Sequence, residues 1–344
     1  MSDREHSRPP QKIATGKFEV DKKLGAGCFG EVWRGYNTQT KDPVAVKFEH
    51  LQGHTFQLDH EAEILKLLAQ PQQPQGFSQC FHVGAEGRYH VLVMELLGRS
   101  LEDRLQTCQG KFNVPTATLV AEQVIHRIEY LHSKGIIHRD IKPENFMFGL
   151  KSKVHHVYLI DFGLSKRYYD AKHVQHRTRL SLTGTARYAS INAHKGIEQS
   201  RRDDMEAIGH MLIYFLRGIL PWSGLDAKTQ EEKYRKIREK KESTPLDELC
   251  KGYPPAFQMY LQTARQLEFK ARPDYSGYRE LFKQVRDSQS PPLEDHHFPW
   301  LQGKELGPLV KIEYEKLRQP DEGGEKREKS GFCLCGGSSK VKDD

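Results

Sequence analysis

CxxC motifs are absent from this sequence of 344 residues, and we expect no secretory leader. None of its cysteines belongs to a CxxC pair of the kind that builds zinc sites, so a reducing compartment is the simpler expectation. The first residues are polar and show no charged segment followed by an apolar one, which argues against secretion. The six cysteines are Cys28, Cys80, Cys108, Cys250, Cys333 and Cys335.

Long apolar runs are missing as well. The longest, residues 208–220, is interrupted by His210 and Arg217 and falls short of the roughly 20 residues that cross a bilayer, so it predicts a buried helix. Internal repeats are not visible. The net charge of +7 is compatible with nucleic acid, anionic lipid or acidic protein partners and does not choose among them.

What the sequence does contain is a change of pattern that predicts two lobes. Strand-like alternation extends to about residue 81 with one helical stretch at 58–68, and helical periodicity dominates after residue 98. We therefore predict an α+β fold. The expected organisation is a flexible leader at 1–16, a domain at 17–290 with lobes at about 17–95 and 98–290, an extension at 291–318 and a disordered tail at 319–344.

A glycine run near the N-terminus has the spacing GxGxxG. Gly25, Gly27 and Gly30 precede Val32, and glycine lets backbone amides approach phosphate oxygens because it has no Cβ. Dinucleotide-binding folds and plain turns share this spacing. In a dinucleotide fold a helix would follow at once, whereas EVWRGY at 31–36 is rich in strand-forming residues. We predict a hairpin that covers phosphates.

The next strand, VAVK at 44–47, predicts one wall of a nucleotide pocket. Alternation puts Ala45 and Lys47 on one face, a small side chain for adenine beside an ammonium for phosphate. An ordinary strand with an exposed lysine is the alternative. Glu61 follows 14 positions after the lysine in a helix-like stretch and is a candidate to orient it, with Glu63 as its competitor.

The densest motif is HRDIKPEN at 138–145. It places Asp140, Lys142 and Asn145 in one loop, where a carboxylate can accept a hydroxyl proton, an ammonium can face a γ-phosphate and an amide can bind a metal. A short hairpin is predicted next, and its second strand ends at AspPheGly. Asp161 is then placed to hold Mg²⁺ against the phosphates.

These motifs occur together in the order and on the local structures found in protein kinases, and the chain resembles that family. The resemblance implies a bilobal protein kinase fold, ATP as the phosphate donor and Mg²⁺ as the metal. Lys142, two positions after Asp140, is typical of kinases that act on Ser and Thr.

Generic kinases end the activation segment with AlaProGlu, which this chain lacks. SerIleAsn stands in its place at 190–192, inside the block LTGTARYASINAHKGIEQSRRDDMEAIGH at 182–210. Together with LPWSGL at 220–225 and ArgProAspTyr at 272–275, this block resembles the casein kinase 1 family. The resemblance covers about residues 18–285, although the segment between AspPheGly and LeuThrGlyThr is a few residues shorter than is usual there.

The family resemblance implies further site residues. It favours Glu61 as the partner of the strand lysine and puts Met94 at the back of the adenine pocket. Glu95 and Leu97 would offer backbone hydrogen bonds to adenine. Asp204 resembles the residue that holds the backbone of the catalytic loop, which is a structural role.

The same resemblance implies substrates with acidic or phosphorylated residues, and activity without phosphorylation of the activation segment. Arg187 and Lys233 correspond to the family's anion-binding residues, and a guanidinium beside an ammonium would hold a phosphate upstream of the accepting Ser or Thr. Surface charge or structural ion pairing is the alternative. Arg139 and Lys166 are weaker candidates for a second anion site.

Three other functional interpretations stay open. A fold does not guarantee activity, so a pseudokinase scaffold is the main alternative. Arg201 and Arg202 suggest nucleic-acid binding, although the two aspartates that follow favour local pairing and we expect no such partner. Cys333 and Cys335 in a basic tail are compatible with palmitoylation and membrane association. We expect a monomer in the cytoplasm, with the nucleus as a second location.

Overall fold

The computed structural model of the protein describes residues 9–27, 30–51 and 57–320. Within these ranges an antiparallel sheet comes first and a mainly helical part follows, which is the α+β order that the sequence pattern predicts. No helix in this part of the chain is both long and apolar enough to cross a membrane. Of the tail predicted at 319–344, residues 321–344, with Cys333 and Cys335, lie outside the described residues.

The first lobe is built on one six-stranded antiparallel sheet with the order β1-β2-β3-β4-β6-β5. Its hairpin β2–β3 pairs Gly25 with Val32 and Gly27 with Gly30, so the glycine run connects two strands as predicted and does not lead into a helix. The strands are β1 (Lys12–Ile13), β2 (Phe18–Gly27), β3 (Gly30–Asn37), β4 (Pro43–His50), β5 (Cys80–Glu86) and β6 (Tyr89–Glu95).

The sheet begins earlier than the sequence pattern predicts. The polar composition of 1–16 favoured a flexible leader, yet β1 pairs with β2 through Lys12 opposite Glu19 and Ile13 opposite Phe18. The side chain of Ile13 is fully buried against the outer face of the sheet. A single apolar residue is enough to dock this polar segment as a strand. The edge of β2 supplies both the backbone hydrogen-bond partners and a hydrophobic surface for it.

One helix, α1 (Gln57–Leu68), crosses the inner face of the sheet and packs against β5 and β6. Its buried residues recur at three- and four-residue steps, the pattern of a helix with one apolar face. Glu61 lies on this buried face between apolar neighbours, so its carboxylate points toward the cleft side of the sheet, while Glu63 is exposed.

The second lobe is a helical bundle around α3, which is buried along almost its whole length and packs against α5 and α9. α3 begins after Asn113, whose side chain accepts the backbone N–H of Thr116, as expected of an N-cap. The helices are α2 (Leu101–Thr107), α3 (Val114–Ser133), α4 (Ile191–His194), α5 (Arg201–Arg217), α6 (Gln230–Ser243), α7 (Leu246–Leu249), α8 (Pro255–Gln266) and α9 (Tyr275–Asp287).

Short strand pairs fix the loops that carry the chemical motifs. β8 pairs with β9, and β7 pairs with β10, which brings residues 138–145 and 161–165 side by side under the sheet. The predicted hairpin after Asn145 is therefore confirmed. These strands are β7 (Ile136–Ile137), β8 (Phe146–Phe148), β9 (Val157–Leu159), β10 (Lys166–Arg167), β11 (Tyr169–Asp170) and β12 (Lys172–His173).

The extension at 291–318 runs along the second lobe and is fastened to it. The Trp300 ring lies against those of Phe112 and Phe148, with ring centroids 5.7 and 5.1 Å apart. The Val310 carbonyl accepts hydrogen bonds from Nε2 of both His155 and His156, at 2.7 and 2.8 Å. Burial lowers the pKa of His156 to about 4, so this imidazole is a neutral donor at physiological pH.

Replacing Ile13 by Ala tests whether β1 belongs to the folded lobe. Because the side chain is fully buried, the substitution should lower the free energy of unfolding by about 2 to 4 kcal/mol, measured by urea titration. Lys12→Ala, at the exposed neighbouring position, is the matched control and should change the stability little. Equal stability of both variants would mean that β1 contributes little to the stability of the folded lobe.

Candidate active site

A cavity of about 480 Å³ lies between the two lobes, under the glycine hairpin. It is lined by all the predicted adenine-pocket residues, which lie on β3, β4 and β6 and in the segment after β6. Sequence reasoning missed other lining residues, because Met147 on β8 and Ile160, directly after β9, reach the cavity only through the second lobe's hairpin. The predicted lining residues are Gly25, Val32, Ala45, Lys47, Met94, Glu95 and Leu97.

The backbone after β6 offers hydrogen bonds to a ligand in this cavity. The Glu95 N–H donates to the Gln79 carbonyl at 3.0 Å, and the Gly98 N–H donates to the Phe148 carbonyl at 2.7 Å. No described acceptor binds the N–H of Leu97 between them. The geometry therefore agrees with Leu97 as the adenine-binding amide that the family resemblance implies.

Gly30 closes the hairpin where no other residue fits. Its φ is +128°, and a Cβ built there would approach the Phe48 carbonyl oxygen to 1.9 Å. At Gly25, by contrast, a Cβ would meet nothing within 4 Å, because this position faces the open cavity. The first glycine leaves room for a ligand, and the last allows the hairpin to lie on the sheet.

Lys47 reaches from β4 to the buried carboxylate on α1. Its Nζ lies 2.8 Å from both carboxylate oxygens of Glu61 and 4.0 Å from an oxygen of Asp161. Burial alone would lower the pKa of Lys47, but the two carboxylates raise it above its ordinary value. The ammonium is thus charged and fixed at the cavity wall, and the structure places Glu61, not Glu63, as its partner.

The loop at 138–145 gathers its predicted residues around Asp140. Lys142 Nζ lies 2.6 Å from Asp140 Oδ2, and Asn145 Nδ2 donates to the Asp140 backbone carbonyl at 2.8 Å. Thr185 donates to Asp140 Oδ1 through both its N–H and its hydroxyl, at 2.9 and 2.7 Å. Burial would raise the pKa of Asp140, but the bonds from Lys142 and Thr185 hold it below its ordinary value, so the carboxylate is ionised at neutral pH.

A buried carboxylate on α5 holds this loop in an uncommon conformation. Asp204 accepts the backbone N–H groups of His138 and Arg139 at 2.7 and 2.9 Å, and Nε2 of His132 at 2.9 Å. Arg139 has φ +68°, in the left-handed region that costs a non-glycine residue energy. The three hydrogen bonds stabilise that strained turn, which is the structural role implied for Asp204.

Asp161 lies two positions after the end of β9, with φ +64° and a partly exposed carboxylate. The next residue, Phe162, is fully buried between the rings of His138 and Phe77. Asn145 uses its Nδ2 on Asp140, which leaves its amide oxygen for a cation. A carboxylate and an amide oxygen fit Mg²⁺, which prefers hard oxygen ligands, and the Asp161 carboxylate lies 4.0 Å from Nζ of the cavity-lining Lys47.

Arg187 and Lys233 are both exposed, as an anion-binding pair requires. The Arg187 guanidinium rests near the Tyr214 ring, 5.5 Å from its centroid, and its Nη1 lies 3.5 Å from the Tyr188 hydroxyl. No described carboxylate comes within ion-pair distance of either cation. Arg187 is two positions from Thr185, whose hydroxyl binds the Asp140 carboxylate.

The proposed second anion site is different. Lys166 Nζ lies 2.6 Å from Glu198, and Arg177 binds the other oxygen of that carboxylate at 2.6 Å. Arg139 directs its Nε to the Leu164 carbonyl at 2.7 Å. These cations already bind groups within the protein. Structural pairing therefore explains them better than a second site that is free to bind an anion.

The two arginines at the start of α5 also make intramolecular contacts. Arg201 is buried and donates to the Lys270 carbonyl at 2.7 Å, while Arg202 donates to the Leu267 carbonyl at 3.2 Å. The predicted pairing with the following aspartates occurs only in part. Arg202 Nε lies 3.9 Å from Asp203, whereas Asp204 is occupied by the catalytic loop.

Sequence reasoning missed two residues that complete the site. Thr185 and Glu198 both belong to the segment before α5, and each meets partners that are more than twenty positions away along the chain. A threonine within LTGTAR and a glutamate within GIEQS give no local signal of burial. The buried position of the glutamate follows only from the fold.

A family model described as the protein kinase domain matches residues 18–275, which are 258 of the 344 residues. The matched range includes the cavity, both motif loops and the segment before α5. It confirms the kinase fold that the two-lobed α+β structure displays.

Glu61→Gln tests the role of the buried ion pair. The substitution removes the charge that fixes the Lys47 ammonium, and a misplaced ammonium should lower kcat/KM for ATP about 100-fold. The matched control is Glu63→Gln, an exposed position two residues along the same helix, which should leave steady-state kinetics unchanged. An equal loss in both variants would contradict the assignment.

Proposed function

Because the chain belongs to the protein kinase family, we propose that it transfers the γ-phosphate of ATP to Ser or Thr side chains of proteins. We further propose a casein kinase 1-like preference for substrates with acidic or phosphorylated residues near the acceptor. The observation that carries the proposal is the arrangement around Asp140. An ionised carboxylate is held between the Lys142 ammonium and the Thr185 hydroxyl, in the loop that leads into the strand of the cavity-lining residue Met147.

In this proposal each group has one task. Asp140 orients the substrate hydroxyl and accepts its proton, and Lys142 beside it stabilises the negative charge of the transferring phosphoryl group. Lys47, fixed by Glu61, binds the phosphates of the nucleotide. Mg²⁺, when bound, neutralises phosphate charge, and Asn145 and Asp161 are the residues that would hold it.

Support for activity without phosphorylation comes from the buried carboxylate of Glu198. It binds Arg177 and Lys166, and its N–H donates to the Arg177 carbonyl at 2.8 Å. Burial would raise the pKa of Glu198, but the two cations hold it below its ordinary value. A permanent negative charge thus fixes the segment before Thr185, where other kinases rely on an added phosphate.

The alternative of a pseudokinase scaffold has less support. Lys47, Asp140, Asn145 and Asp161 are all present, and the ion pair from Lys47 to Glu61 is already formed. A monomer, a cytoplasmic or nuclear location and membrane association through Cys333 and Cys335 stay predictions from the sequence.

The preference for anionic substrates is tested with two matched Ser peptides, one of which carries a phosphoserine three residues upstream. Wild-type protein should show a lower KM for the phosphorylated peptide. Arg187→Ala should raise that KM about tenfold and leave the KM of the other peptide unchanged, because it removes one charged hydrogen-bond donor from an exposed position.

Arg235→Ala is the control for this experiment. Arg235 is an exposed arginine on α6 that already pairs with Glu239, so its removal should not alter the ratio of the two KM values. A wild-type enzyme that phosphorylates both peptides with equal KM would contradict the proposed preference, and one that uses tyrosine peptides better would contradict Ser/Thr specificity.

A further inference from the structure

The backbone around Arg187 is held by an unusual set of donors. All four carbonyl oxygens of residues 186–189 accept hydrogen bonds from buried side chains of α5, α6 and the loop between them. Trp222 Nε1 donates to the Arg187 carbonyl at 2.7 Å, and His210 Nδ1 binds the Tyr188 carbonyl at 2.8 Å. Lys241 donates to the remaining two, those of Ala186 and Ala189, at 2.8 and 2.5 Å.

Lys241 is exceptional among these donors because it is a lysine with no exposed surface. Such a residue normally pairs with a carboxylate, yet no described carboxylate lies within ion-pair distance of its Nζ. Its ammonium group lies near the face of the Trp222 ring, 5.4 Å from the centroid, and 3.3 Å from Nε2 of His194. Burial lowers the pKa of Lys241 to about 7, because removing the ammonium group from water disfavours its charged form.

The two carbonyls that Lys241 binds flank Arg187 on either side. A displacement of either would turn the Arg187 backbone and move its guanidinium, which is exposed and rests near the rings of Tyr188 and Tyr214. On the other side of Ala186, Thr185 binds Asp140 through two hydrogen bonds of its own. Lys241 therefore holds the segment that follows Thr185, while Thr185 itself contacts Asp140.

Lys241 also connects this segment to the helix that carries the second candidate cation. Lys233 lies eight positions earlier on α6, about 12 Å along the helix axis. α6 packs against α4, and His194 at the end of α4 shares the Ala186 carbonyl with Lys241 at 3.0 Å. One buried side chain thus sets the distance between the Arg187 backbone and the helix of Lys233.

We propose that Lys241 is a positioning residue for anion recognition, which holds the carbonyls of Ala186 and Ala189 so that Arg187 and Lys233 face the same substrate anion. The inference rests on the proposed preference for anionic substrates and adds a residue that does not touch the substrate. Its role is specificity. Phosphoryl transfer to a peptide without an anion depends on Asp140 and Thr185, which Lys241 does not contact.

The variant Lys241→Met tests this role. Met keeps the aliphatic stem beside Trp222 but removes all N–H donors. KM for the phosphoserine peptide should rise about tenfold, toward the value for the unphosphorylated peptide, while kcat for both peptides stays within about twofold of wild type. Lys240→Met, at the exposed neighbouring position on α6, is the matched control and should keep the wild-type KM ratio.

The outcomes separate the two proposals. A wild-type enzyme without any preference for the phosphoserine peptide overturns both. A preference that persists in a folded Lys241→Met variant overturns only the role of Lys241, as does an equal loss of kcat on both peptides. Should the Met variant not be recovered in folded form, Lys241→Gln is measured in its place, since the shorter Gln keeps a polar donor but cannot reach both the Ala186 and the Ala189 carbonyls as the Lys241 ammonium does. An unchanged KM ratio there overturns the proposal.

Discussion

The site depends on the hydrogen bonds that the carboxylate of Asp204 accepts. This carboxylate lies buried on the central helix α5 and accepts two backbone N–H groups from the loop that carries Asp140, together with Nε2 of His132 from α3. Burial would raise the pKa of Asp204, but its hydrogen bonds with His132 and His138 hold it below the ordinary value. The strained turn at Arg139 persists because this one group joins the loop to the two best-packed helices.

From that anchor the functional groups are arranged in a chain of short contacts. Asp140 receives Lys142 from its own loop and Thr185 from the segment before α5, and the same segment leads through Arg187 to the carbonyls that Lys241 holds. The first lobe contributes the Lys47–Glu61 ion pair on the opposite wall of the cavity. Lys47 is thereby fixed by a buried partner on a helix, and Asp140 by a loop that the buried Asp204 anchors, which is how a site is preorganised.

Much of this arrangement is predictable from the sequence, because the motifs carry their chemistry locally. The glycine spacing, VAVK and HRDIKPEN each depend on residues a few positions apart, and the strand-rich EVWRGY is by itself enough to disfavour the dinucleotide fold. Glu61 and Glu63 are not separable on spacing alone. The buried face of α1 decides between them, because only Glu61 lies on it.

The parts that escape prediction depend on long-range packing. Ile13 looks like one apolar residue in a polar leader until the edge of β2 is present to receive it. Lys241 lies in the charged run QEEKYRKIREKKES, which favours a solvated helix, and its burial arises only when α6 meets the carbonyls of residues 186 and 189. Lys166 differs from its prediction in the opposite way. The sequence suggests a cation free to bind an anion, but in the fold it pairs with the buried carboxylate of Glu198.

The ionised carboxylate of Asp140 is expected to support phosphoryl transfer in a site that is already assembled. The most direct measurement compares wild type and Asp140→Asn for transfer of labelled phosphate from ATP with Mg²⁺ to a Ser peptide, with ATP binding measured in parallel. We predict that the variant binds ATP with unchanged affinity and loses at least about 100-fold in kcat. A variant that transfers phosphate at the wild-type rate, or a wild type that binds ATP and transfers none, would contradict it.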